Sequence, residues 1–153
     1  MKPFYLDGCW VETTTCESVH NPWSGEKLAE ICVAGAGDVE SAVASSHAAF
    51  QQTRRLTADA RASTLEKIHR LILDRRQEFV DVIVAEAGKP VTYAEAEVVR
   101  AALTFRFAAA LALADEGHGI NMDASAPGVG HFGLVRRFPI GVLLGITPFN
   151  FPL

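Results

Sequence analysis

Ile140-Gly141-Val142-Leu143-Leu144-Gly145-Ile146-Thr147-Pro148-Phe149-Asn150-Phe151-Pro152-Leu153 is the stretch on which the fold class turns. Its first half, Ile140 to Ile146, is uninterrupted, β-branched and glycine-containing, the composition of a strand covered on both faces in a parallel sheet. The second half follows that strand directly, and in open α/β sheets ligands bind just beyond the carboxyl ends of the strands. Two prolines fix φ on either side of Phe149-Asn150-Phe151, and a rigid backbone is what a catalytic amide needs to keep its NH2 aimed at a developing oxyanion. An Asn in an ordinary turn satisfies the same spacing. The segment grows more apolar toward Leu153, unlike the polar, frayed character of most exposed termini, so these residues are expected to be the front part of a longer protein.

Working back toward the start, His131 to Phe138 reads as a strand exposed enough to tolerate Arg136-Arg137, and Gly117 to Gly130 is a Gly/Pro/Asn-rich loop. Thr92-Tyr93-Ala94-Glu95 resembles a capping box, opening a helix that runs to about Glu116. Val98, Val99, Leu103, Phe105, Phe107, Leu111 and Leu113 spread around its circumference, which predicts a largely buried helix. Another helix opens at Thr57 with Leu65, Ile68 and Ile72 on one stripe. Asp74-Arg75-Arg76-Gln77, a further capping-box pattern, predicts a break before Phe79, Val82 and Ile83, and Gly88-Lys89-Pro90 closes the segment. Asp38 is positioned to cap a first helix from Val39 to Gln52. Ahead of it, Lys27 to Val33 alternates as a half-buried strand and Asn21-Pro22-Trp23-Ser24-Gly25 is turn chemistry. Asp7-Gly8 between Phe4-Tyr5-Leu6 and Cys9-Trp10-Val11 signals a type I′ hairpin. The pattern is α plus β, ending at the first strand of an α/β domain.

The 153 residues are 49% hydrophobic and 21% charged, which excludes disorder and fits one globular domain or part of one. Fourteen Lys and Arg against eighteen Asp and Glu leave a net charge of −4, so no basic field is available for nucleic acid. The longest apolar runs, Phe107 to Ala114 and Ile140 to Ile146, fall short of the roughly 18 residues of a membrane span. Asp7 and Gly8 interrupt any signal-peptide core, and the expected compartment is the cytoplasm. Cys9, Cys16 and Cys32 fit neither a disulfide framework nor a zinc site, and none has a nucleophile's setting. His20, His47, His69, His118 and His131 form no i, i+4 pair, so no metal site is expected. Gly128-Val129-Gly130-His131-Phe132-Gly133 matches G-x-G-x-x-G, but no strand precedes it and Leu134 to Pro139 cannot open a helix, so its glycines punctuate a loop. Half of the basic residues lie between Arg54 and Arg76 with Asp59, Glu66 and Asp74 among them, a solvated helix face.

Several blocks, in order, carry a resemblance: Tyr5 to Val11, Asn21 to Glu26, Asp38 to Val43, Glu86-Ala87-Gly88-Lys89-Pro90, and above all Phe138-Pro139-Ile140-Gly141-Val142 leading into Ile146 to Pro152. Together they resemble the aldehyde dehydrogenase superfamily over nearly the whole chain. The resemblance implies NAD- or NADP-dependent oxidation of an aldehyde to its acid: a cysteine thiolate attacks the carbonyl, hydride leaves to the nicotinamide, and water hydrolyses the thioester. It implies that Asn150 donates its amide to the oxyanion, and that Ile146, Thr147, Pro148 and Phe149 line the cofactor cleft. The implied fold is α/β, with an N-terminal β-hairpin and helices packed on the start of a Rossmann-like parallel sheet. Residues 1–130 would supply the strands and helices of the cofactor-binding domain, 131–139 an oligomerisation strand, and 140–153 the first sheet strand and active-site turn. A homo-oligomer, dimer or tetramer, follows for the complete protein.

The catalytic cysteine and glutamate motifs belong to the part of the family pattern beyond Leu153, so these residues alone are expected to be inactive. The competing reading is a short noncatalytic binding or assembly module derived from that fold. Arg100 and Arg106 lie on a helix expected to be buried and therefore need carboxylate or anion partners, with Glu95 and Glu97 nearby. Under the resemblance this helix borders the substrate entrance. Arg100 would then bind the anionic tail of a phosphorylated, carboxylated or sulfonated small aldehyde.

Overall fold

Asp7 and Gly8 both take positive φ, 49° and 81°, as a type I′ turn requires, and close strands β1 (Phe4–Leu6) and β2 (Cys9–Val11) into the expected antiparallel hairpin. The computed structural model describes residues 1–114 and 117–153. Asn21 makes the next turn: its side-chain oxygen accepts from the Trp23 and Ser24 N–H groups at 2.9 and 3.1 Å. This turn joins β3 (Cys16–His20) to β4 (Lys27–Cys32) in a second antiparallel pair. β4 is the strand expected from alternation. β3 is additional: Cys16-Glu17-Ser18-Val19-His20 carries little apolar signal, and it becomes a strand because β4 presents N–H and C=O groups that need partners.

Helix α1 (Ala36–Thr53) starts earlier than Val39, because Asp38 bonds backward. Its carboxylate accepts from the Gly35 N–H at 2.8 Å, which makes Gly35 the capping position. Helix α2 (Ala58–Asp74) opens where expected, with the Thr57 hydroxyl accepting from the Ala60 N–H at 3.1 Å. Helix α3 (Arg76–Ala87) follows after a single residue, but the capping box foreseen at Asp74-Arg75-Arg76-Gln77 does not form. Arg75 stands between the helices and pairs with Glu78 at 2.8 Å, its hydrogen bond and charge holding that carboxyl below the ordinary range. Gln77 donates forward to Asp81 at 2.7 Å instead.

Gly88 ends α3 in the left-handed conformation at φ 63°. Helix α4 (Val91–Ala114) then begins ahead of Thr92, so the second expected capping box is also absent. The Pro90 carbonyl accepts from the Tyr93 and Ala94 N–H groups, each at 3.0 Å, and Glu95 reaches across to Arg76 at 3.5 Å. The expected end of this helix near Glu116 lies outside the described residues.

The core is the junction of α2, α3 and α4. Ala94, Val98 and Ala102 recur every fourth residue on α4 and meet Ile72, Val80 and Ile83, with Ile68, Phe79, Val84 and Phe105 at the margin. Full burial of a side chain such as Val98 contributes about 1.5–3 kcal/mol, and the alanines let the helix backbones approach. α4 is nevertheless not largely buried: Val99, Leu103, Phe107, Leu111 and Leu113 are exposed. The helix is apolar on more than one face, and α2 and α3 cover only one of them.

A third antiparallel pair joins β5 (His118–Asn121) to β6 (Phe132–Val135). β5 falls where the sequence reads as loop, and β6 stops short of Phe138. Gly133 lies inside β6, so the G-x-G-x-x-G run opens no helix. Between Arg136 and Ile146 no ladder forms, and Ile140, Leu144 and Ile146 are 88%, 88% and 87% exposed. The parallel strand expected at Ile140 to Ile146 therefore lacks neighbours. The described strands pair as three separate antiparallel ladders, whereas a parallel strand needs a partner brought alongside by a crossover. What forms among the described residues is a mixed helix and strand architecture with small antiparallel sheets and no parallel sheet. Among the described residues no helix is long and apolar enough to cross a membrane.

A Cβ on Gly88 would meet Pro22 Cγ at 2.8 Å in a left-handed backbone. Gly88→Ala is expected to lower stability by about 1–3 kcal/mol, read as an earlier urea midpoint at unchanged slope. An unchanged midpoint would contradict the account of the α3–α4 reversal.

Candidate active site

Glu97 is the one charged residue that is buried among the described residues, at 3% exposure on α4. The reversal at Gly88 brings Lys89 over this helix, where its ammonium pairs with Glu97 Oε2. Lys89 Nζ also donates to the backbone carbonyl of Asn150 at 2.6 Å and lies 4.4 Å from the centre of the Phe151 ring. The other carboxylate oxygen, Glu97 Oε1, accepts from the Leu153 N–H at 3.0 Å. Within the turn the Phe151 N–H folds back to the Pro148 carbonyl at 3.3 Å, and Pro152 has no N–H to satisfy. One ion pair thus holds both ends of Asn150-Phe151-Pro152-Leu153 against α4.

Arg100 lies one turn beyond Glu97 and is exposed. It takes neither of the carboxylates expected to neutralise it, since Glu95 is engaged by Arg76 and Glu97 by Lys89. Its guanidinium carbon sits 4.3 Å from the centre of the Phe151 ring, a cation–π contact. Arg106, the second arginine of this helix, is likewise exposed, so neither arginine needs the charge pairing that deep burial would have required.

Asn150 stands on the wall between two clefts. One, of about 800 Å³, is bordered by Pro22, Val82, Lys89 and Phe149. The other, of about 550 Å³, is bordered by Tyr93, Glu97, Arg100 and Phe151. Asn150 and Arg100 therefore share one cleft, and Phe149 joins Asn150 at the first. Ile146, Thr147 and Pro148 line neither, and Ile146 and Phe149 project as an exposed apolar edge.

Lys89 and Glu97 were not read from sequence as parts of the site. The available signal was a lone carboxylate flanked by Ala94 and Val98 on the buried face of a helix, with a lysine eight residues before it. None of the cysteines lines either cleft. Burial and the neighbouring Cys32 thiol push the Cys16 thiol above its ordinary value, the reverse of what activates a nucleophile. No three His, Cys, Asp or Glu side chains gather at metal distance among the described residues.

A family model described as the aldehyde dehydrogenase family matches residues 10–153. Malonate-semialdehyde dehydrogenase 2 of Bacillus thuringiensis (strain Al Hakam) is 36% identical over 151 residues, covering 97% of this chain and 30% of that protein. The 3-sulfolactaldehyde dehydrogenase of Priestia megaterium (strain ATCC 12872 / QMB1551) is 33% identical over 149 residues, covering 97% and 31%. Among solved structures, aldehyde dehydrogenase 21 from Physcomitrella patens, in complex with the reaction product succinate, superposes with a TM-score of 0.93 at 30% identity, covering 99% of this chain and 32% of that one. The NADP-dependent glyceraldehyde-3-phosphate dehydrogenase of Bacillus halodurans C-125, complexed with NADP, gives 0.92 at 30% identity, again over 99% and 32%. The chain spans about 30% of the length of the curated relatives it matches.

Proposed function

The chain belongs to the aldehyde dehydrogenase family, and from that premise we propose that it forms the N-terminal part of an enzyme that oxidises an anionic aldehyde to its carboxylic acid with NAD or NADP. The observation that carries the substrate class is the cleft shared by Asn150 and Arg100. An oxyanion donor and a cation on one cleft suit a short aldehyde with a charged tail. The names of the relatives support this reading, since malonate semialdehyde, 3-sulfolactaldehyde and glyceraldehyde 3-phosphate carry a carboxylate, a sulfonate and a phosphate.

In this enzyme Asn150 donates its side-chain amide to the oxygen of the aldehyde as negative charge develops there. The gain comes from a donor already aimed, so that no reorganisation accompanies the reaction. Arg100 holds the nonreacting anion by a charge-assisted contact while its guanidinium carbon lies 4.3 Å from the centre of the Phe151 ring. The residues proposed for the cofactor, Ile146, Thr147, Pro148 and Phe149, fit a flat ring system: Ile146 and Phe149 offer exposed apolar surface and the four carry no charge. NAD or NADP, when bound, accepts the hydride. The nucleophilic cysteine and the glutamate base are supplied from beyond these residues, so this chain alone has no turnover. Residues 1–130 build the cofactor-domain periphery, and residues 140–153 complete a sheet strand and the active-site turn. Residues 131–139 contribute an assembly strand; Phe132 and Leu134, both exposed on a two-stranded ribbon, support that role.

Three outcomes test the proposal in the complete enzyme. Asn150→Ala should lower kcat by about 10²–10³ with cofactor affinity nearly intact, and a change below about threefold removes the oxyanion role. Arg100→Leu should raise KM for an anionic aldehyde and hardly affect a neutral one of the same length; equal losses, or none, would make Arg100 a purely structural partner of Phe151. Val135→Pro, which removes a ladder donor, should yield monomers or insoluble protein by light scattering, and an unchanged oligomer mass would count against the assembly strand.

A further inference from the structure

We infer that the Lys89–Glu97 pair is the positioning device for Asn150, a clasp that fixes the backbone of residues 150–153 and through it the direction of the Asn150 amide. This rests on the oxyanion reading of Asn150. The clasp acts on backbone atoms at both ends of the turn: the Asn150 carbonyl receives Lys89 Nζ at 2.6 Å and the Leu153 N–H reaches Glu97 Oε1 at 3.0 Å. Asn150 itself is exposed and borders open clefts, so side-chain packing does not hold it. Its aim depends on the Cα next to the bonded carbonyl. Glu97 is the buried member, fixed by the core helix that carries Ala94, Val98 and Ala102, and Lys89 is fixed by the reversal at Gly88. A group displaced by about 1 Å from its productive geometry can cost about 10²-fold in rate, which is the scale on which such a clasp matters. Lys89 and Glu97 are positioning residues here, acting on Asn150 through the backbone atoms they bond.

The test uses the complete enzyme with Lys89→Met, the double variant Lys89→Met with Glu97→Gln, and Lys89→Arg. The double variant leaves no unpaired buried carboxylate, and its Gln oxygen can still accept from Leu153, so it keeps the test open if Lys89→Met fails to fold. Loss of the lysine should lower kcat by about 10–100-fold, with Lys89→Arg recovering most of the loss. In an Asn150→Ala background the same substitution should change kcat by less than about threefold, because the group it aims is gone. Deuterium uptake of the peptide spanning Phe149 to Leu153 should rise in Lys89→Met and in the double variant. Equal losses in both backgrounds, or unchanged uptake in that peptide, overturn the inference. If Asn150→Ala alone leaves kcat within about threefold, the oxyanion reading falls, and the exchange measurement by itself decides whether the clasp holds the turn.

Discussion

A carboxylate buried in an apolar helix junction is the constraint on which the rest of this structure depends. Removing an ion from water without a partner costs several kcal/mol, so an ionised Glu97 requires a cation delivered to one spot beside α4. The chain delivers it by stopping α3 at Gly88, whose left-handed backbone turns Lys89 back over α4. Two further hydrogen bonds to the pair then come from a turn far along the chain, 61 residues away in the case of Lys89 and Asn150 and 56 in the case of Leu153 and Glu97. The helix end, the core helix and the turn are therefore parts of one electrostatic arrangement, and a change in any of them reaches the other two.

What was legible in the sequence was what neighbouring residues decide among themselves. Asp7-Gly8, Thr57 and Gly88 each specify a local conformation by their own chemistry, and each takes the conformation read from it. The capping boxes at Asp74 and Thr92 fail for a related reason. Glu95 and Gln77 find better partners in Arg76 and Asp81 than in the backbone behind them, and side-chain competition of that kind is invisible to a four-residue pattern. β3 and β5 were missed because their strand character comes from the partner strand and not from their own residues. At the site, the turn around Asn150 was legible because prolines restrict it, whereas the Lys89–Glu97 pair joins segments whose meeting no periodicity announces.

The apolar surface left uncovered follows a pattern. One face of α4 meets α2 and α3, while Val99, Leu103, Phe107 and Leu111 on the remainder are exposed, as are Ile140, Leu144 and Ile146. Isolated apolar residues on a surface need no explanation, but contiguous ones mark an interface. Their composition suits burial by further sheet and helix, which is what relatives about three times as long would provide. The same exposure accompanies Ile140 to Ile146, which reads as a buried parallel strand yet makes no ladder among the described residues.

Phe151 contacts two cations, and their chemistry accounts for which residue occupies each place. Lys89 carries a compact ammonium with three rotatable donors, suited to serving a carboxylate and a carbonyl at once while resting near a ring. A guanidinium there would keep the charge but present its donors in a rigid plane, a less adaptable fit to the same two acceptors. Arg100 contacts the same ring at 4.3 Å but remains exposed, and a guanidinium carries five N–H donors in a fork that suits a bidentate partner. A lysine in that place would lose the fork. In the proposed enzyme the cation that shapes the site is therefore the shielded one already satisfied by protein, and the cation that selects the substrate is the exposed one whose donors remain to be filled.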